Sequence, residues 1–105
     1  MAWIYLLLAG IAEWGWPMGL KFGWTDQGLK FWPLMLAVVS IVVSGAFLLM
    51  AQRVIPVGTA YAVWTGIGAV GTFFLGIWLL GEPANAIRFV SVGLIVAGII
   101  GLKLA

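Results

Sequence analysis

Glu13 is the only acidic residue that lies inside a long apolar segment of this sequence. A charge at the centre of a membrane costs at least about 2.5 kcal/mol, so such residues usually have a function. A carboxyl group in a nonpolar environment can exchange a proton near neutral pH, or trade that proton for a cation. Glu13 is therefore predicted to bind protons or cations. The alternative is a neutral Glu that only hydrogen-bonds a neighbouring helix.

The residues around Glu13 share its face if this segment is helical. Gly10 and Trp16 lie three residues away on either side, and Pro17 lies four residues after it. Gly10 leaves space beside the carboxylate, and Trp16 offers an indole N–H donor and an aromatic wall. Pro17 lacks the backbone N–H that would bond the carbonyl of Glu13. That carbonyl is predicted to be free for a donor from substrate or water, unless Pro17 only kinks the helix.

A second polar and aromatic face occurs in the third apolar segment. Tyr61, Trp64 and Thr65 have helical spacing. A Tyr hydroxyl could bond a carboxylate, and a Trp ring could face a cation; the alternative is an aromatic belt at the membrane surface. Gly66 and Gly68 follow, and their small size permits close helix contact or a kink.

The two remaining apolar segments contribute Ser and Gly. Ser40 and Ser44 share a face of the second segment, and either could orient Glu13 across a helix interface or bond its own helix. The fourth segment carries Gly93, Ala97, Gly98 and Gly101, a small-residue spacing that favours helix association. Gly93 and Gly98 are predicted to serve dimerisation.

Four helices are predicted to position these residues. The chain has 105 residues, of which 65% are hydrophobic and 8% charged, and a soluble domain of this size could not bury so much apolar surface. Each apolar run is close to the roughly 20 residues that cross a bilayer as a helix. We predict one all-α transmembrane domain, residues 1–105, with helices at roughly 3–22, 31–51, 57–80 and 86–104.

Charge near the helix ends gives little preference for one orientation. Three basic residues are expected on one side of the membrane and two on the other: Lys21, Lys30 and Arg88 against Arg53 and Lys103. This near balance hints at dual topology, in which copies insert both ways up. Four helices do not hold the two halves of a duplicated transporter, so at least a dimer is predicted.

Several classes of protein are disfavoured by composition. The few scattered basic residues do not form a nucleic-acid surface. There is no Cys and no His, and the sequence has no nucleophile–base pair, metal-ligand cluster or phosphate loop. We therefore predict neither an enzyme nor a bound cofactor or metal. A helper subunit without transport activity is disfavoured by the carboxylate with its aromatic donors.

Three sequence segments resemble the small multidrug resistance family, and the resemblance covers nearly the whole chain. They are Ala9-Gly10-Ile11-Ala12-Glu13 followed by Trp16, the long segment from Ile55-Pro56-Val57-Gly58 to Gly68, and the final Gly98-Ile99-Ile100-Gly101-Leu102-Lys103. Trp16 one turn after the Glu, and the triplet Trp64-Thr65-Gly66, are most similar to the guanidinium exporter subtype.

The resemblance implies an antiparallel, dual-topology homodimer in the bacterial plasma (inner) membrane that exchanges small organic cations for protons. It implies that Glu13 of each subunit binds substrate and protons competitively. The site would be lined by Trp16, Ser44, Tyr61 and Trp64, with Gly10 packed beneath them. Alternatives are an exporter of quaternary ammonium and lipophilic cations, and one subunit of a paired heterodimer. Trp14, Gly15 and Pro17 depart from the usual subtype pattern.

Overall fold

Helices account for most of the structure, a computed structural model that describes residues 1–105. The five helices are α1 (Ala2–Ala12), α2 (Gly15–Gly23), α3 (Phe31–Gln52), α4 (Val57–Leu80) and α5 (Ala86–Leu104). The last three are each long and apolar enough to cross a membrane. They occupy the regions of the second, third and fourth predicted helices, and the chain is a multi-pass membrane protein.

The segment predicted as a helix over residues 3–22 is helical but divided into two pieces, α1 and α2. The two pieces meet at Glu13 and Trp14, where the backbone N–H of Trp14 donates to the carbonyl of Ile11, three residues back, at 3.1 Å. Pro17 has no N–H to offer the carbonyl of Glu13, so the regular hydrogen-bond pattern cannot continue there. Both joint residues keep right-handed helical backbone angles. The joint therefore loosens the helix without reversing its direction.

A small hairpin connects the first two predicted helices. Strand β1 (Trp24–Thr25) pairs antiparallel with β2 (Gly28–Leu29). Gly28 has a φ of 105°, which favours glycine, and its carbonyl accepts a 3.0 Å hydrogen bond from the Thr25 hydroxyl. This turn brings the end of α2 close to the start of α3.

Helix α2 packs closely on α3 through glycines spaced four residues apart. A Cβ at Gly19 would lie 2.5 Å from the carbonyl oxygen of Pro33, and one at Gly23 would lie 2.5 Å from Leu34 Cδ2. A Cβ at Gly15 would fall on the hydroxyl of Ser40. Small residues in this arrangement let two helix backbones approach closely. Helix α2 is thereby fixed to α3.

The buried core lies where α1, the end of α3 and the start of α4 meet. It contains five buried apolar residues: Leu6, Ala51, Ile55, Ala60 and Val63. Helix α1 packs on both α3 and α4, whereas α2 packs chiefly on α3, and α5 packs on α4. A gap therefore opens between α2 and α4, beginning at the joint that carries Glu13. Only 17 of the 105 residues are buried within one chain, so most apolar faces are left for lipid or another protein chain.

Candidate functional site

Glu13 lies at the joint between α1 and α2 and is buried, with 7% of its surface exposed. The indole Nε1–H of Trp16, in the first turn of α2, donates a hydrogen bond to its Oε1. One carboxylate oxygen is thus oriented from within its own segment. The break in the helix places the acid at the end of one helix and its donor at the start of the next.

Helix α4 approaches this carboxylate through glycine. A Cβ at Gly68 would lie 2.7 Å from Cγ of Glu13, and a Cβ at Gly10 would lie 2.5 Å from Cγ2 of Ile67. Both distances are far shorter than ordinary contacts between carbon atoms. The crossing of α1 and α4 therefore depends on small residues on both helices, and the side chain of Glu13 lies against the backbone of α4.

A cavity of about 260 Å³ opens beside the carboxylate. Its walls come from the α1–α2 joint and from one face of α4: Glu13, Trp16 and Pro17 on the first side, and Thr65, Gly68, Ala69 and Thr72 on the second. The Thr65 hydroxyl donates to the carbonyl of Tyr61 at 2.8 Å, within its own helix. Apart from Glu13, no acidic or basic side chain lines this cavity.

Sequence reasoning missed Ala69 and Thr72 as lining residues. Thr72 lies one helical turn beyond Gly68 and two turns beyond Thr65. Extending the face of Thr65 and Gly68 by one more turn would have found it.

Ser44 and Trp64 connect α3 and α4 to α1. Ser44 is fully buried, and its hydroxyl donates to the carbonyl of Ala9 at 2.7 Å. The indole Nε1–H of Trp64 donates in turn to the Ser44 hydroxyl at 2.8 Å. Within one chain, these side chains bond each other and α1 rather than the carboxylate of Glu13. They hold the last part of α1 in place one turn before Glu13.

Tyr61 lies outside this group of contacts. Its ring packs beside that of Trp64, with 5.4 Å between ring centroids, and 56% of its surface is exposed. It does not line the cavity of its own chain. Tyr61 could line the binding site, as predicted, only if that site is shared with a second chain.

The remaining predicted glycines have other surroundings. A Cβ at Gly66 would lie 2.9 Å from Cδ1 of Ile99, so this residue serves the contact between α4 and α5. Gly93 and Gly98 are both at exposed positions of α5, where an added Cβ would meet nothing within 4 Å. Their role in dimerisation stays a prediction.

The arrangement suits a small cation with N–H donors. Trp16 occupies one oxygen of the buried Glu13 carboxylate, and an uncharged cavity adjoins it. A carboxylate forms its strongest hydrogen bonds with charged donors, and planar guanidinium groups match it with two parallel bonds. The same oxygens can instead take a proton, so the site has the chemistry to hold a cation or a proton.

Comparison with known proteins gives consistent full-length matches. Guanidinium exporters of Citrobacter freundii and Salmonella typhimurium are each 54% identical to this chain over 105 residues, which is 100% of this chain and 98% of theirs. The guanidinium exporter of Escherichia coli strain K12 is 52% identical with the same coverage. Residues 1–95 match the family model described as Small Multidrug Resistance protein. The chain therefore belongs to the small multidrug resistance family.

Proposed function

We propose that this protein exports guanidinium and related small guanidinyl cations across the membrane in exchange for protons. The observation that carries the proposal is the buried Glu13 carboxylate, bonded by Trp16 and lying beside a cavity that has no other charged group. The names of relatives that are more than half identical over the full length support guanidinium as the substrate.

The proposed working unit is an antiparallel dimer of this chain. One chain supplies only four apolar segments and one acidic side chain within them, Glu13, and its gap between α2 and α4 is open at that residue. A second copy, inserted the other way up, would bring its own Glu13 to the same cavity. The exposed position of Tyr61 and the open face of α5 are consistent with contacts supplied by that copy.

Exchange would follow from competition at the two carboxylates. Two ionised Glu13 side chains facing each other repel, so their titrations are coupled. Either a proton or a guanidinyl cation relieves this repulsion, and each excludes the other from the same oxygens. If the helices rearrange only when the charge is compensated, cation export is coupled to proton entry.

The test is transport by proteoliposomes that contain only this protein, with guanidinium and a tetraalkylammonium ion compared under a pH gradient. We expect guanidinium transport, lost in Glu13→Gln. The matched control is Glu82→Gln, which removes the other Glu of the chain at an exposed position in the loop before α5.

Each other outcome contradicts a defined part of the proposal. A preference for tetraalkylammonium would reassign the protein to exporters of bulky cations. Silence with both ions would contradict a homomeric exporter and favour a paired paralogous subunit. Full activity of Glu13→Gln would overturn the role of the carboxylate.

A further inference from the structure

Trp14 follows Glu13 directly, yet its side chain lines a different space. Its indole Nε1–H donates a 2.9 Å hydrogen bond to the backbone carbonyl of Ile67, and its ring covers Gly71 so closely that any Cβ there would fall on the ring. Ile67 and Gly71 lie one turn apart on α4. Trp14 thus crosses from the α1–α2 joint to α4.

The carbonyl that Trp14 bonds belongs to a continuous helix. In α4 this oxygen also faces the N–H of Gly71, four residues on. A carbonyl oxygen has two lone pairs and can accept a second donor. Gly71 leaves room for the indole to reach that oxygen. The contact therefore depends both on the large side chain of Trp14 and on the absence of a side chain at Gly71.

The joint itself has little backbone support. The carbonyl of Glu13 receives no N–H from Pro17, and the helix is interrupted at residues 13 and 14. Two consecutive side chains fix the joint to the same part of α4: Glu13 lies on Gly68, and Trp14 lies on Gly71. Rotation of the joint would move both together.

The two side chains also separate two spaces. Glu13 faces the cavity of about 260 Å³ that contains the threonines of α4. Trp14 lines an apolar groove of about 690 Å³ between α1, α4 and α5. A carboxylate rotated into that groove would lose its Trp16 donor and its access to the cavity.

We propose that Trp14 is a positioning residue for Glu13: its bond to Ile67 and its fit on Gly71 set the rotation of the joint, and so keep the carboxylate in its cavity. The inference rests on the proposed function, because the carboxylate that Trp14 positions is the one proposed to bind the cation.

The first experiment removes the indole N–H donor of Trp14 but keeps an aromatic ring at this position. Trp14→Phe is labelled with ¹⁵N-tryptophan, and the indole signal of Trp16 reports on its bond to Glu13. We expect that signal to shift and the KM for guanidinium to rise about threefold to tenfold, the range expected for one hydrogen bond. The matched control is Trp78→Phe, which changes a Trp in the same groove that is 80% exposed. This control should change neither the Trp16 indole signal nor the KM for guanidinium.

A second set of variants tests the fit with Gly71. Gly71→Ala should impair transport, because its methyl group would displace the indole of Trp14. If Trp14 is first replaced by Leu, the same Gly71→Ala change should cause a smaller further loss of transport. The control on the same helix is Gly58→Ala, where a Cβ meets nothing within 4 Å. An independent loss from Gly71→Ala, equal with Trp or Leu at position 14, would overturn the proposal.

An unchanged Trp16 signal in Trp14→Phe would also overturn it, whatever the transport result. The signal needs no substrate, so this test remains valid if the wild-type protein fails to carry guanidinium. If the wild-type protein does not transport guanidinium, that result would contradict the proposed function but not the positioning role of Trp14.

Discussion

Glu13 and Gly68 fit together only because residue 68 has no side chain: a Cβ there would lie 2.7 Å from Cγ of Glu13. The carboxylate therefore rests against the backbone of α4, although it belongs to the joint between α1 and α2. Its position depends on how α1 crosses α4, and a change on α4 that touches no substrate can move it.

We expect Gly68→Ala to lower guanidinium transport roughly tenfold or more, because the methyl group displaces the carboxylate by a substantial fraction of an ångström. The measurement is initial uptake in proteoliposomes at equal amounts of folded protein. Gly58→Ala on the same helix, where there is open space, should transport normally. Normal transport by Gly68→Ala would mean that the contact between Glu13 and residue 68 has no part in transport.

Ser44→Ala should destabilise the protein by about 1 kcal/mol, because it leaves the indole N–H of Trp64 without its acceptor. The carbonyl of Ala9 would lose the Ser44 donor but keep its bond from the backbone N–H of Glu13. Thermal unfolding in detergent measures this change. The control is Ser91→Ala, whose exposed hydroxyl donates only to Ile87 in its own helix. Equal melting temperatures for the two variants would contradict a bridging role for Ser44.

The sequence was sufficient for contacts within one helical segment. Spacing along the chain placed Trp16 beside Glu13, and the missing N–H of Pro17 identified the carbonyl at which the helix is interrupted. These relationships follow from the helical repeat and the covalent structure of proline. Gly10, which was predicted beside Glu13, instead faces Ile67 of α4. The apolar runs located α3, α4 and α5, because a helix needs about 20 apolar residues to cross a membrane.

Contacts between helices could not be predicted in this way. Periodicity gives the face of a helix but not its partner, so the bond from Trp64 to Ser44, and that from Trp14 to Ile67, required the structure. The glycines of α2 that pack on α3 had a readable four-residue spacing. Small residues alone, however, do not identify the helix that packs against them.

Trp16→Phe should raise the KM for guanidinium roughly tenfold, because the variant loses the hydrogen bond to Glu13 while keeping an aromatic wall. Substrate-dependent uptake over a range of guanidinium concentrations gives the KM. Trp32→Phe, at a position that is 77% exposed, is the matched control. If both variants keep the wild-type KM, the indole N–H does not contribute to binding.

Pro17→Ala tests the role of the interrupted helix. The substitution would supply the missing backbone N–H to the carbonyl of Glu13, so α1 and α2 should join into one helix and the protein should gain about 1 kcal/mol of stability. The carbonyl would then be unable to accept a donor from substrate or water as freely. We expect weaker guanidinium binding or a shifted pH profile of transport.

The control for this prediction is Pro33→Ala. Pro33 lies in the first turn of α3, where a backbone N–H has no helical partner, so the substitution should leave transport and its pH profile unchanged. A Pro17→Ala protein with higher stability but wild-type transport at every pH would show that the joint is a structural kink. It would also remove the free carbonyl of Glu13 from the mechanism, leaving the carboxylate alone to discriminate between cation and proton.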